Sequence, residues 1–197
     1  AGPDCVKVQF QFGIPTVPGA SAELVYTVEA QGALRVDAVY HGVAGAPELP
    51  CFGVKFETFG PVTRTVWTGL SGETYPDRYK GGVFGCHAET PHIEPALVPQ
   101  DCGLHMDTQQ VCLQLANGQT LTIEQTGEAF AFSAPNTAQQ IEAAQHLCEL
   151  PETGRTSITV LGAARGVGGI DSWCTDVEEP YRLSGECDRS VRFRIVL

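Results

Sequence analysis

The chain has 197 residues, of which 43% are hydrophobic, and this is enough for one large domain with its own core. Its formal net charge of −11 argues against nucleic acids and anionic membranes as partners, because both are bound through basic patches. The sequence contains no apolar run as long as a membrane-spanning helix. It begins at Ala1 without an initiator methionine and ends within an alternating pattern, so we expect a piece of a longer protein.

Alternation of apolar and polar residues predicts β-strands along most of the chain. In the first strand Val6, Val8, Phe10 and Phe12 alternate with polar residues, which predicts one buried face and one polar face. Similar patterns follow at residues 24–28, 34–40, 52–56, 62–67, 83–86, 111–115, 121–125, 130–133, 156–162 and 191–197.

Turn residues between these runs indicate how the strands connect. Gln31-Gly32 and Asn117-Gly118 each separate two alternating runs, and Asn-Gly is a strong hairpin signal. Many short strands joined by Gly- and Pro-containing turns are typical of an antiparallel β-sandwich. We therefore predict an all-β fold.

One short helix is predicted after the strand at 130–133. Asn136 or Thr137 can cap it, and Ile141, Ala144 and Leu147 recur at helical spacing through Gln145-His146. The sequence shows no internal repeat or flexible linker, so residues 1–197 are assigned to a single domain. The eight cysteines include no C-x-x-C pair and favour mostly free thiols in a cytoplasmic protein.

The densest polar cluster lies in the middle of the chain. His87, Glu89, His92 and Glu94 fall within eight residues, and His105 follows nearby. These residue types can bind a metal, but the prolines around them exclude the regular helix that would fix their spacing. A polar loop is therefore favoured, and no metal site is predicted.

Five carboxylates could serve as the acid/base pair of a glycosidase, but nothing in their spacing singles out a pair. Each of them can instead order a loop by accepting backbone N–H groups, and no catalytic residue is assigned. The five are Glu73, Asp77, Glu94, Asp101 and Asp171.

Residues 166–173 read G-V-G-G-I-D-S-W, a glycine-rich loop that ends on a tryptophan. No Lys-Ser or Lys-Thr follows the glycines, so a phosphate loop is not supported. Trp173 can be either a buried plug or a platform on which a sugar stacks. Trp67 lies within an alternating strand, and for it the core interpretation is preferred.

Several stretches together resemble one known family. They are residues 47–53 (P-E-L-P-C-F-G), 67–78 (W-T-G-L-S-G-E-T-Y-P-D-R), 95–103 (P-A-L-V-P-Q-D-C-G), 130–134 (F-A-F-S-A) and 166–173. In this order and spacing they are similar to the C-terminal, or small-chain, domain of large bacterial β-galactosidases of glycoside hydrolase family two. The second stretch is one residue shorter than the family pattern, at Ser71-Gly72.

The resemblance implies an antiparallel supersandwich related to galactose mutarotases. It also implies retaining hydrolysis of terminal β-D-galactosides, with both catalytic glutamates in a separate barrel domain outside this chain. The galactoside would be shared with that barrel, and the enzyme could form a homo-oligomer. No cofactor is expected in this domain, although the family often uses Mg²⁺ and Na⁺ in other domains.

Residue roles follow from the same resemblance. Trp173 matches the tryptophan that the last domain lends to the active site, and Asp171 and Ser172 belong to the same substrate-binding loop. The remaining matched residues are expected to build the loop framework. They are Glu73, Tyr75, Asp77, Arg78, Asp101, Gly166, Gly168 and Gly169.

Three alternatives stay open at this point. The chain could be a stand-alone carbohydrate-binding module of the same fold. It could be a mutarotase-like epimerase that uses His92 with Glu94 or Glu89 as acid and base. It could also serve only in the assembly of an oligomer.

Overall fold

The computed structural model describes residues 5–93 and 103–197, which form two antiparallel β-sheets and one short α-helix. The strands are β1 (Cys5–Gly13), β2 (Ser21–Glu29), β3 (Leu34–His41), β4 (Cys51–Glu57), β5 (Val62–Leu70), β6 (Phe84–Glu89), β7 (His105–Thr108), β8 (Gln110–Leu115), β9 (Thr120–Gln125), β10 (Phe130–Ser133), β11 (Ser157–Ala164) and β12 (Arg189–Val196). The helix α1 spans Ala138–Ala143, and single 3₁₀ turns lie at Leu147–Glu149 and Glu179–Tyr181. The predicted all-β antiparallel fold with one short helix is confirmed.

The two sheets are unequal in width. The larger has eight strands in the order β1-β2-β3-β12-β9-β8-β5-β6, and the smaller has four in the order β4-β11-β10-β7. Apolar side chains from both sheets meet in one core, as expected for stacked sheets whose strands are apolar on one face. The most deeply buried of them include Val111, Ile123, Phe132, Val160 and Phe193.

The prediction that β1 buries its apolar face is wrong. Val6, Val8, Phe10 and Phe12 are each 44% exposed or more, although they alternate with polar residues as a buried strand would. The physical reason is the width of the smaller sheet. Its edge strand β4 contacts β3 and β12 of the larger sheet, so the strands beyond β3 extend past it.

The helix is shorter than predicted. Thr137 caps it through a capping box, in which its hydroxyl accepts from the Gln140 N–H at 3.1 Å and the Gln140 side chain accepts from the Thr137 N–H at 2.9 Å. It ends at Ala143, and only Ile141 on it is buried, against Ile93. The predicted continuation through residues 145–146 fails because these two residues are exposed and Leu147, the next apolar residue of the predicted helix, is 42% exposed, so burial does not stabilise a further turn.

Strand β7 escaped prediction because its sequence, H-M-D-T, has no apolar alternation. It exists because β10 pairs with it, which is a contact between segments distant in the sequence.

Six cysteines of the described part are free thiols, namely Cys5, Cys86, Cys112, Cys148, Cys174 and Cys187. Within the described ranges, no helix has the length and apolar character needed to span a bilayer.

Two phenylalanines at opposite extremes of burial allow a test of the core. Phe132 is 1% exposed and packs between the sheets, whereas Phe59 is 98% exposed. We expect Phe132→Ala to lower the free energy of unfolding by about 3–5 kcal/mol, because the cavity adds to the lost transfer energy. Phe59→Ala should change it by less than about 0.5 kcal/mol. Urea unfolding of both variants measures the difference, and equal losses would contradict the core described above.

Candidate functional site

The glycine-rich loop begins directly after β11 and joins it to the 3₁₀ turn at Glu179–Tyr181. Gly168 and Gly169 have φ angles of 67° and 70°, which residues with a Cβ rarely adopt. Gly166 has an ordinary φ but no room, because a Cβ there would lie 2.7 Å from the Asp77 carboxylate. The three glycines thus serve two needs, a left-handed backbone and a close approach by a neighbouring turn.

That neighbouring turn supplies Asp77 and Arg78, which both form hydrogen bonds to the backbone of the loop. The Asp77 carboxylate accepts the Val167 N–H at 3.0 Å and the Gly168 N–H at 2.7 Å. The Arg78 guanidinium donates to the Gly168 carbonyl, and a Cβ at Gly169 would lie 2.7 Å from that guanidinium. Sequence analysis suggested that Asp77 could order a loop by accepting backbone N–H groups, and the structure gives it this role.

Glu73 and Tyr75 hold the turn that carries Asp77. The Tyr75 hydroxyl donates to the Glu73 carboxylate, which also accepts the Gly103 N–H at 3.0 Å. The Tyr75 and Arg78 backbones bond each other across the turn, and the Tyr75 ring packs against Leu104 and Leu161. Asp101, the remaining predicted framework residue, lies outside the described residues, as does most of the 95–103 stretch.

Asp171 shapes the tip of the loop. Its carboxylate accepts the Trp173 N–H at 2.9 Å, the Thr175 N–H at 3.3 Å and the Thr175 hydroxyl at 2.6 Å. The hydroxyl of Thr175 and then the N–H of Trp173 lower the pKa of this carboxyl below its ordinary value. Asp171 therefore accepts hydrogen bonds from its own loop, and these bonds hold the loop tip in position.

The tip leaves Trp173 in solvent. Its side chain is 88% exposed, Ile170 is 60% exposed, and Ser172 is exposed beside them. Cys174, the next residue, has a φ angle of 60°, which turns the chain immediately after the tryptophan. Of the two roles that the sequence left open for Trp173, burial within this chain is ruled out by its exposure, whereas Trp67 is buried as predicted.

A ring of four charges secures the far side of the loop, and sequence analysis missed it. Arg165 bonds Glu48 at 3.1 Å and Asp176 at 2.6 Å, and Arg182 contacts the same two acids at 3.6 Å and 3.0 Å. The Arg165 hydrogen bond, followed by the Val177 N–H, lowers the pKa of Asp176. Glu48 lies more than a hundred residues before the other three side chains, so no local pattern in the sequence predicts the ring.

A buried histidine lies beneath the turn that carries Asp77. The His105 ring stacks on Phe132 with 4.7 Å between centroids and lies 4.4 Å from Trp67. Its Nδ1 is 3.0 Å from the Gly72 carbonyl, and its Nε2 is 3.3 Å from Glu89. Sequence analysis considered His105 only as a neighbour of a possible metal site, because its strand was not predicted.

Burial acts to raise the pKa of Glu89, but the hydrogen bond and charge of His105 outweigh it, so this pKa lies below its ordinary value. The two other described histidines of the polar cluster contact carbonyl groups nearby in the sequence. His87 Nε2 lies 2.9 Å from the Val83 carbonyl, and His92 Nδ1 lies 3.1 Å from the Thr90 carbonyl. Glu94 lies outside the described residues. Within the described residues, no three His, Cys, Asp or Glu side chains are grouped to hold a metal ion.

The family model and the related sequences point to the same family. The family model described as beta galactosidase small chain matches residues 2–197. The chain is 44% identical over 202 residues to the beta-galactosidase small subunit of Latilactobacillus sakei, covering 96% of this chain and 64% of that subunit. It is 33% identical over 196 residues to the beta-galactosidase of Streptococcus thermophilus, covering 98% of this chain and 19% of that enzyme.

Among solved structures, a putative aldose 1-epimerase from Escherichia coli K12 matches with a TM-score of 0.45 and 13% identity, over 98% of this chain and 64% of that one. The chain spans less than two thirds of the related small subunit and about a fifth of the related beta-galactosidase. The family match covers both the Asp77 turn and the Trp173 loop. The chain belongs to the beta galactosidase small chain family.

Proposed function

We propose that this chain acts as part of a β-galactosidase that hydrolyses terminal β-D-galactosides with retention of configuration. In this proposal Trp173 forms one aromatic side of the substrate site, and the two catalytic glutamates belong to a barrel domain elsewhere in the enzyme. The observation that carries the proposal is the 88% exposure of Trp173 on a loop that is fixed on both sides.

A tryptophan suits this role for a physical reason. Its ring offers a flat apolar face to the C–H groups of a sugar and an N–H donor at its rim. Such a ring is normally buried, and its exposure costs free energy unless a ligand or partner covers it. A loop ordered in advance lowers the cost of binding, because little conformational freedom remains to be lost.

The rest of the loop takes subordinate roles. Asp171 positions the tip through its bonds to residues 173 and 175, and Ser172 is exposed where it can offer its hydroxyl to a sugar. Glu73 and Asp77 accept backbone N–H groups of the framework. A retaining glycosidase needs two carboxyl groups about 5–5.5 Å apart that face the sugar, and these carboxylates serve other purposes.

The proposal is tested first with the isolated chain and a chromogenic galactoside. We expect no hydrolysis, because the reacting carboxylates lie in another part of the enzyme. In the complete β-galactosidase that contains this chain, Trp173→Ala should lower kcat/KM roughly 30-fold, equivalent to about 2 kcal/mol of lost stacking. Trp173→Phe should recover most of that loss, because a flat apolar face remains.

Phe59→Ala in the complete enzyme is the matched control, because Phe59 is an equally exposed aromatic outside the loop. Hydrolysis by the isolated chain, or equal kinetics for the Trp173→Ala and Phe59→Ala enzymes, would overturn the proposal. Calorimetric titration of the isolated chain with galactose tests the binding-module alternative. Tight binding that Trp173→Ala abolishes would favour that alternative, but a single stacking side chain encloses too little of a sugar for it.

The hydrogen bonds that Asp77 accepts from the loop backbone give a second prediction. Asp77→Ala removes the acceptor of two backbone N–H groups, so we expect the free energy of unfolding to fall by about 2 kcal/mol. Amide hydrogen exchange at Val167 and Gly168 should accelerate more than elsewhere. Asp37→Ala serves as the control, because Asp37 pairs with exposed arginine side chains away from the loop. Unchanged exchange at these two amides would contradict the role of Asp77.

The lowered pKa of Asp171 gives a third prediction, on pH. Its hydrogen bonds are present above the ordinary pKa of 3.8 and are lost only as the pH falls through the lower folded value. In a Trp67→Phe background, where Trp173 is the sole tryptophan, its fluorescence should stay constant from neutral pH down to that range. Circular dichroism at each pH separates loop titration from global unfolding. A fluorescence midpoint above 3.8 that Asp171→Ala removes would refute the assignment.

A further inference from the structure

An apolar face at one edge of the molecule lies open to solvent. We call it the overhang face and define it by Val6, Val8, Phe10 and Phe12 of β1 together with Val28 of β2. These side chains are 44–63% exposed. Phe10 already contacts Phe12 and Tyr26, with ring centroids 6.3 Å and 6.1 Å apart. Contiguous exposed apolar surface of this kind marks an interaction site in a soluble protein.

The overhang face continues the core without a break. The strand registers place Phe10 beside Leu24 and then Ala38 in one row across β1, β2 and β3. Exposure falls along this row, from 44% at Phe10, through partial burial at Leu24, to 4% at Ala38. The apolar face of the larger sheet therefore extends out to β1, and the smaller sheet covers this face only as far as β3.

The edge strand of the smaller sheet borders the same opening. Among the described residues, β4 pairs with β11 on one side and with no strand on the other. A groove of about 260 Å³ lies between this edge and the overhang face, with Phe12, Leu24 and Tyr26 on one wall and Phe52 and Val54 on the other. An open strand edge beside an apolar face is what an added β-strand requires, because the edge bonds its backbone and the face buries its side chains.

We propose that two neighbouring β-strands from the remaining polypeptide of the enzyme cover the overhang face, the first of them paired with the free edge of β4. Strands in one sheet lie about 4.8 Å apart, so one strand beside β4 stands opposite β2 and a second opposite β1. Each of these two strands has apolar side chains at alternate positions. The polar side chains between them face outward, as Lys55 and Glu57 do on β4 itself.

Two observations favour this occupant over a second copy of the chain. Each copy carries a net charge of −11, so copies repel one another at close approach. The related Latilactobacillus sakei small subunit also has more than a third of its length outside the region that matches this chain. That extra polypeptide is available to cover the face. The inference rests on this comparison and the exposed face, and not on the role proposed for Trp173.

The test mixes this chain with a purified polypeptide, the part of the Latilactobacillus sakei small subunit that lies outside the 202 matched residues. Sedimentation should show a one-to-one complex. Amide hydrogen exchange in β4 should slow roughly tenfold or more on mixing, because its outer edge gains hydrogen-bond partners. Phe10→Glu should weaken the complex roughly tenfold or more, because it places a charge in the buried contact.

Phe59→Glu is the matched control, since Phe59 is exposed elsewhere, and it should leave the complex unchanged. Both variants alter exposed side chains, so the fold of the chain should be retained, and urea unfolding checks this. Three results would overturn the proposal. They are failure to form a complex, a complex without slower exchange in β4, and self-association of this chain that Phe10→Glu abolishes.

Discussion

The loop that presents Trp173 depends on the two hydrogen bonds that Asp77 accepts from Val167 and Gly168. A chain of contacts links these bonds to the core. The His105 ring packs on Phe132 between the sheets, its Nδ1 reaches the Gly72 carbonyl, and the turn that follows Gly72 carries Asp77. The position of an exposed side chain is thus set by buried ones, in keeping with the rule that precise sites stand on rigid elements.

Local patterns predicted the features that arise from local physics. Alternation located most strands, because burial of one face of a strand requires an apolar residue at every second position. The cap was predicted at Asn136 or Thr137, because capping needs only residues within one helical turn, and Thr137 forms it. The family resemblance brought Asp77, Arg78 and the glycines together as one framework, and the structure places their atoms in contact.

The features that sequence analysis missed all depend on distant partners. Strand β7 has no apolar alternation and exists because β10 pairs with it. The ring of Arg165, Glu48, Arg182 and Asp176 joins segments more than a hundred residues apart in the chain. The alternation in β1 predicted correctly which face is apolar, but it could not show whether that face meets another sheet. That depends on how many strands the smaller sheet has.

Trp173 and the overhang face differ in the kind of partner that can cover them. Trp173 is a single side chain on a loop whose backbone is held by hydrogen bonds and ion pairs. Covering it with a small ligand therefore requires no further ordering of the loop. The overhang face is broad and borders an open strand edge, so it needs a polypeptide that can supply backbone hydrogen bonds as well as apolar side chains. A sugar cannot supply the backbone hydrogen bonds and apolar side chains that the overhang face needs. A β-strand does not need a loop that is fixed in advance. The two surfaces therefore have separate physical causes, although one larger enzyme would satisfy both.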